Sequence, residues 1–124
     1  MAKRIFVSFA IEDEYARDFL RGQARNASSP FEFIDMLVKQ PWDSAWKELC
    51  RTRIRGCDGV VALLSKNSLT AAGERWEIRC AIEEGIPLIG IYVQKEDTSS
   101  PLEMDGHRKI YWSWDGIAAF INGL

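Results

Sequence analysis

Glu77 is the residue with the clearest chemical potential in this chain. It lies in a short helix, within Trp76-Glu77-Ile78, between the apolar runs Gly59–Ser65 (GVVALLS) and Leu88–Val93 (LIGIYV). Two buried strands joined by a helix form a β-α-β unit, and open α/β sheets bind ligands at the mouth formed by their strand ends. A carboxylate there can orient a ligand or stabilise a positive centre. One helical turn away are Gly73, Cys80 and Ala81, all small, so a substrate can approach closely and partial desolvation would raise the carboxyl pKa. The competing reading is ordinary helix surface, which is the expectation for nearby Glu74, Glu83 and Glu84.

The elements that would position this carboxylate alternate along the chain. Arg4–Phe9 reads as a strand, and Asp13–Arg25 as an amphipathic helix with Tyr15, Ala16, Phe19 and Leu20 on its apolar face. Phe31–Val38 reads as strand two. A helix follows from Ser44 with Trp46, Leu49, Cys50, Ile54 and Cys57 on its stripe. Strand three is Gly59–Ser65. Thr70 or a neighbour would cap the third helix, whose stripe is Ile78, Ala81 and Ile82 and whose end is Gly85. Strand four is Leu88–Val93, and Gln94–Arg108 is a long polar loop where a fourth crossover helix would be expected. Lys109–Trp112 is a short edge strand, and Asp115 caps a last helix bearing Ile117, Phe120, Ile121 and Leu124. The expectation is a single domain over residues 1–124. Its fold would be an α/β three-layer sandwich with a five-stranded parallel sheet in the flavodoxin-like order 2-1-3-4-5.

Composition narrows the function. The 124 residues carry a net charge of -2 and are 47% hydrophobic, enough for a core without staples and without the basic footprint of a nucleic-acid binder. Cys50, Cys57 and Cys80 lack Cys-x-x-Cys spacing, and His107 is the only histidine, so no Cys/His metal cage forms. A reduced, cytoplasmic protein is expected, since the start is too short for a signal-peptide core and no apolar run approaches the ~20 residues of a membrane span.

Several flavodoxin-like chemistries are excluded. Ala-Ile-Glu-Asp-Glu follows strand one, where a flavin phosphate needs Ser, Thr and Gly. Glu12 and Asp13 suit an acidic receiver pocket, but Ser65 stands where phosphotransfer needs an aspartate. There is no Gly-x-Gly-x-x-Gly, P-loop, Gly-x-Ser-x-Gly elbow or Cys/His nucleophile pair.

The segments RIFVSFAIED, FEFIDMLVKQPWDSAWKELCRTRIRGCDGVVALLS, RWEIRCAIEEGIPLIGI and YWSWDGIAAFI, in that order, resemble the TIR-like domains associated with Thoeris antiphage defence. The resemblance implies a flavodoxin-like TIR fold. In catalytically active branches it also implies cleavage of NAD+ at the nicotinamide–ribose bond, giving nicotinamide and an ADP-ribose product that can be cyclised into a signal. NAD+ is then the substrate and no cofactor or metal is expected. Glu77-Ile78 matches the end of the family motif Trp-x-x-x-Glu-Ile, which assigns Glu77 the catalytic role. Trp76 matches an aromatic often found just before that glutamate, and Gly73 replaces the leading tryptophan. A single carboxylate suffices, because nicotinamide is a good leaving group and the enzyme chiefly stabilises an oxocarbenium-like centre.

Further candidates follow, each with a structural alternative. Ser8 and Phe9 either shape the nucleotide site or pack in the core. Trp42 and Asp43 lie in the loop that borders the NAD+ site in TIR domains, with Asp43 also suited to capping the next helix. Asp35 points into the mouth or sits on an exposed edge. Ser65 and Asn67 bond substrate or shape their turn. Lys47, Arg51, Arg53 and Arg55 steer an anionic nucleotide, contact a partner or form a solvated face. The Trp112 and Trp114 pair is read as packing for the last helix. The resemblance further implies self-association and a functional link to a messenger-receiving effector. A catalytically silent interaction module remains the alternative.

Overall fold

A computed structural model describes residues 2–124. In chain order it has β1 (Arg4–Ser8), α1 (Glu14–Asn26), β2 (Glu32–Ile34), α2 (Ser44–Arg55), β3 (Gly59–Leu64), α3 (Ala72–Glu83), β4 (Leu88–Tyr92), β5 (Lys109–Tyr111) and α4 (Trp114–Asn122). Short 3-10 helices occupy Ile11–Asp13, Lys66–Thr70 and Leu102–Met104. All five strands pair in parallel in the order β2-β1-β3-β4-β5, the expected flavodoxin-like topology. Ile5 pairs with Gly59 and Val61 with Ile89 across the centre.

β3 is apolar throughout because both its faces are covered. Val61 and Leu63 join Ile5, Val7, Ile89 and Ile91 beneath α1 and α4. Val60, Ala62 and Leu64 face the other way, toward α2 and α3. Burial of these side chains on both faces supplies the main driving force for the fold.

Four local expectations are corrected. Strand two is not Phe31–Val38 but Glu32–Ile34, which pairs with Arg4–Phe6 of β1 and then leaves the sheet. Beyond Ile34 the chain turns: Met36 is buried against α2, and Leu37 and Val38 face solvent. Thr70 does not cap α3. Ser65 instead caps the 3-10 helix that contains Thr70, and α3 begins at Ala72 without a side-chain cap. Ser113 rather than Asp115 caps α4, accepting from the Gly116 amide, while Asp115 sits in the first turn near the positive helix end. On the helix stripes, Tyr15, Phe19, Leu49 and Ile82 are exposed.

The Gln94–Arg108 segment covers the sheet without a crossover helix. Its 3-10 turn drives Met104 into a fully buried position against Ala62, Leu64 and Ile78. Gly90 on β4 makes room for it, since a Cβ there would lie 2.6 Å from Leu64 Cδ1 and 2.9 Å from Met104 Cε.

Candidate functional site

The site forms where the carboxyl end of β1 meets the start of α3. On α3 the residues Gly73, Glu74, Glu77, Ile78 and Ala81 are buried, a helical stripe that carries two carboxylates toward the sheet. Ser8, the last residue of β1, donates from Oγ to Glu77 Oε1 at 2.8 Å. The stretch after β2 brings in Lys39, whose Nζ donates to Glu77 Oε1 at 3.0 Å and Oε2 at 2.8 Å. The same ammonium lies 4.2 Å from the centroid of the Phe9 ring, a favourable cation–π distance.

Glu77 has no exposed surface. Burial pushes its pKa up to about 7, against the downward pull of the Lys39 charge and the hydrogen bonds from Lys39 and Ser8. Removal from water therefore outweighs a close counter-charge, as expected for a carboxylate held by one lysine and one hydroxyl.

Lys39 reaches Glu77 because Gly73 has no side chain. A Cβ at residue 73 would lie 2.8 Å from Lys39 Cβ and 3.2 Å from its Cγ and Cδ. The lysine stem thus occupies the volume that a larger residue would fill at the position where the family motif has tryptophan.

Glu74 is the main correction to the expected helix surface. It is fully buried, and neither carboxylate oxygen has a hydrogen bond of good geometry, although the Ser68 hydroxyl lies near enough to pull against the effect of burial. Burial raises its pKa well above the ordinary carboxylate range. Burial thus favours its uncharged form over its anion.

The other sequence candidates fall into separate groups. Phe9 is fully buried and forms a wall of the mouth. Ser65 Oγ donates to Asp13 Oδ2 at 2.6 Å, and Asn67 Nδ2 donates to Asp13 Oδ1 at 3.0 Å. These two polar side chains tie the 3-10 turn to the start of α1 and do not reach Glu77. Asp35 is neither an exposed edge residue nor part of β2; its side chain is 11% exposed and lies 3.5 Å from Arg17 Nε. Arg17 in turn sits over Phe9 at 5.7 Å. Asp43 caps α2 through the Trp46 amide at 2.8 Å. Trp76 packs edge-on to Trp46 with centroids 5.5 Å apart, and Trp42 is 77% exposed at the rim.

Arg51 and Arg55 are engaged by Glu83 and Glu84, while Arg53 donates to the Asp35 carbonyl. The tryptophans near the chain end do pack. Trp112 lies against Phe19 and donates to Gln23 Oε1, and Trp114 lies against Phe31.

Two adjoining cavities open at this end of the sheet. One, of about 210 Å³, is lined by Phe9, Lys39, Trp42, Gly73 and Glu74. The other, of about 470 Å³, shares Pro41, Trp42, Thr70 and Ala72 with it and extends over the outer face of α3. The first presents the aromatic face of Phe9 and the Lys39 side chain; Glu77 does not line it and is reached only through its bonds to Lys39. Among the described residues no group of three or more His, Cys, Asp or Glu side chains is placed to hold a metal, and no helix is long and apolar enough to cross a membrane.

Lys39 and Glu74 are the site residues that sequence reasoning missed. The signal for Glu74 was its register: positions 74, 77, 78 and 81 share one helix face. For Lys39 the only local hint was Gly73, since a glycine inside a helix marks either a cost or a close approach.

A family model described as "Thoeris protein ThsB, TIR-like domain" matches residues 6–98. No curated protein matches the chain significantly. Among solved structures, the TIR domain of the Toll-related receptor TRR-2 from Hydra magnipapillata superposes with a TM-score of 0.63 at 13% identity, covering 96% of this chain and 91% of that one. A prokaryotic SEFIR domain superposes with a TM-score of 0.58 at 15% identity, covering 98% and 89%. At such identities these two structures speak to the fold alone.

Proposed function

The chain belongs to the TIR-like domain family of the Thoeris protein ThsB, and on that footing we propose that it cleaves the nicotinamide–ribose bond of NAD+, with Glu77 as the catalytic carboxylate. The products are nicotinamide and a linear or cyclic ADP-ribose species that serves as a signal in antiphage defence. The observation that carries this reading is a fully buried carboxylate at the carboxyl end of β1, held by Ser8 and set beside an aromatic-walled cavity.

In the proposed reaction the C1′–N bond breaks and its electron pair neutralises the pyridinium ring, so nicotinamide leaves uncharged. The positive charge that develops on the ribose is stabilised by Glu77. Water then captures C1′ and releases a proton, or a nucleophile within the same ADP-ribose closes a ring. No cofactor takes part, since NAD+ is the substrate. Lys39 must move off Glu77 for the ribose to approach, because its ammonium now bonds both carboxylate oxygens. Self-association through TIR-like surfaces and a messenger-receiving effector complete the proposed pathway.

The test is incubation of the purified protein with NAD+, following nicotinamide and ADP-ribose products by chromatography and mass spectrometry. Glu77→Gln should abolish turnover; unchanged turnover in this variant would refute the assignment. A second reading, a catalytically silent interaction module, is favoured by the Lys39 seal over Glu77 and by Gly73 in place of the motif tryptophan. Absence of turnover in every assembly state, with concentration-dependent self-association, would establish that reading instead.

A further inference from the structure

The Lys39 ammonium is held as a bound cation would be. Its Nζ donates to Glu77 Oε1 at 3.0 Å and Oε2 at 2.8 Å, and it lies 4.2 Å from the centroid of the Phe9 ring. A carboxylate on one side and an aromatic face on another are the groups that recognise organic cations. Ser8 completes the setting by donating to Glu77 Oε1 at 2.8 Å, which fixes the carboxylate. The surroundings are otherwise acidic. Glu74, fully buried on the same helix face, feels both Glu77 and Lys39, and Asp35 also acts on Glu77. Arg17 is the other cation beside Phe9, at 5.7 Å, and it is engaged by Glu14, Asp18 and Asp35. With Lys39 removed, Glu77 would keep only the Ser8 hydrogen bond among the described residues.

Lys39 also stands between solvent and the carboxylate. Its side chain is 11% exposed and lines the cavity of about 210 Å³, whereas Glu77 is wholly covered and does not line it. The stem runs through the notch at Gly73, where a Cβ would meet Lys39 Cβ, Cγ and Cδ at 3.2 Å or less. Withdrawing this side chain would open the cavity toward both carboxylate oxygens. The segment that carries it is not tied into the sheet. Residues 35–43 lie outside helix and strand, and Leu37, Val38 and Trp42 on it are exposed. Met36 is its buried anchor, and Trp46 Nε1 donates to the Val38 carbonyl. Displacing Lys39 therefore breaks no strand pairing.

We propose that Lys39 is the internal occupant of a site for an organic monocation, and that a ligand binds by displacing its ammonium from Glu77 and Phe9. The lysine is then a built-in competitor, and it lowers the apparent affinity of any such ligand by the fraction of molecules in which it is seated. A divalent metal ion is a poor substitute, since one carboxylate and a ring face give it too few oxygens. The proposal rests on the NAD+ reading only for the natural ligand, whose pyridinium ring would carry the positive charge. The site itself is testable without NAD+.

The experiment uses the full chain with Lys39→Ala, which deletes the part of the side chain that propylammonium reproduces. Thermal unfolding is followed by circular dichroism in propylammonium chloride, in 1-propanol and in potassium chloride, with calorimetry to measure binding. With a dissociation constant on the order of 5 mM, in keeping with so few atoms, about 50 mM propylammonium multiplies the folding equilibrium of Lys39→Ala about elevenfold. Wild type, with its site filled, should gain nothing beyond the potassium chloride control. The double variant Lys39→Ala/Glu77→Gln should respond severalfold less than Lys39→Ala, and N-methylpyridinium should compete with propylammonium. If Lys39→Ala does not fold alone, propylammonium should restore its folded spectrum where potassium chloride does not. No response in Lys39→Ala, equal responses in wild type and variant, or equal effects of propylammonium, propanol and potassium would overturn the proposal. With NAD+ present, Lys39→Ala should turn over faster than wild type and be inhibited by propylammonium. Cation binding as stated, without cleavage by either protein, would remove the catalytic reading and leave the site assigned. Cleavage without cation binding would do the reverse.

Discussion

Glu77→Gln separates two opposing forces on the buried carboxylate. Burial favours the neutral acid, whereas Lys39 at 2.8 Å and Ser8 at 2.8 Å favour the anion. With burial dominant, the group ionises near its ordinary value of 4.5 in the unfolded chain and at about 7 in the folded one. Between those values the unfolded chain has released a proton that the folded chain retains. The Glu77 contribution to stability is therefore whole below about pH 4.5 and declines as pH rises through about 7. Each pH unit of separation is worth about 1.4 kcal/mol, so from pH 5 to pH 8 the decline is roughly 2 to 3 kcal/mol. Glutamine preserves the shape and cannot ionise. Replacing the carboxyl also alters its hydrogen bonds to Ser8 and Lys39 in both buffers, which is why the change between buffers is the diagnostic quantity. Urea unfolding followed by circular dichroism at pH 5 and pH 8 should show wild type losing roughly 2 to 3 kcal/mol more than Glu77→Gln. Parallel pH dependences in the two proteins, or a wild type that gains on Glu77→Gln as pH rises, would refute the dominance of burial and give the lysine the upper hand.

Gly73→Ala should fail to give the usual helix gain of about 1 kcal/mol, because the new Cβ meets Lys39 Cβ at 2.8 Å; a stabilised variant in urea melts would show that the lysine stem moves at no cost. Glu74→Met should raise stability at pH 8 by on the order of 1–3 kcal/mol, since it removes a buried carboxyl without a hydrogen bond of good geometry; a less stable variant would reveal an unrecognised need for the acid. Cys57 and Cys80, whose thiols burial raises to about 11, should resist a disulfide reagent at pH 8 in the native protein and react only on unfolding, with rapid native modification counting against their buried environment.

Strand order was legible because β3 and β4 are apolar on both faces, a pattern that only a sheet covered on two sides produces. The extent of β2 was not, because Phe31–Val38 has the composition of a strand while Met36 leaves the sheet to pack against α2. Ser8 could be placed at the mouth from strand ends alone. Glu74 was missed because stripes are traced through apolar residues, and a buried carboxylate in register with Glu77 reads as a gap in the stripe. Lys39 was invisible for another reason: its partner is 38 positions away, and only the emptiness at Gly73 records the contact.

The distances along the chain between Ser8, Lys39 and Glu77 also have a kinetic meaning. Ser8 and Glu77 are 69 residues apart, so their bond requires the long loop closures that make parallel sheets slow to form. Until β1, β3 and α3 have docked, the carboxylate remains hydrated and acidic. Its uptake of a proton is thus a late event in folding. A proton-uptake trace in stopped-flow refolding near pH 6, read with an indicator dye, would time the closing of this end of the sheet without any label on the protein.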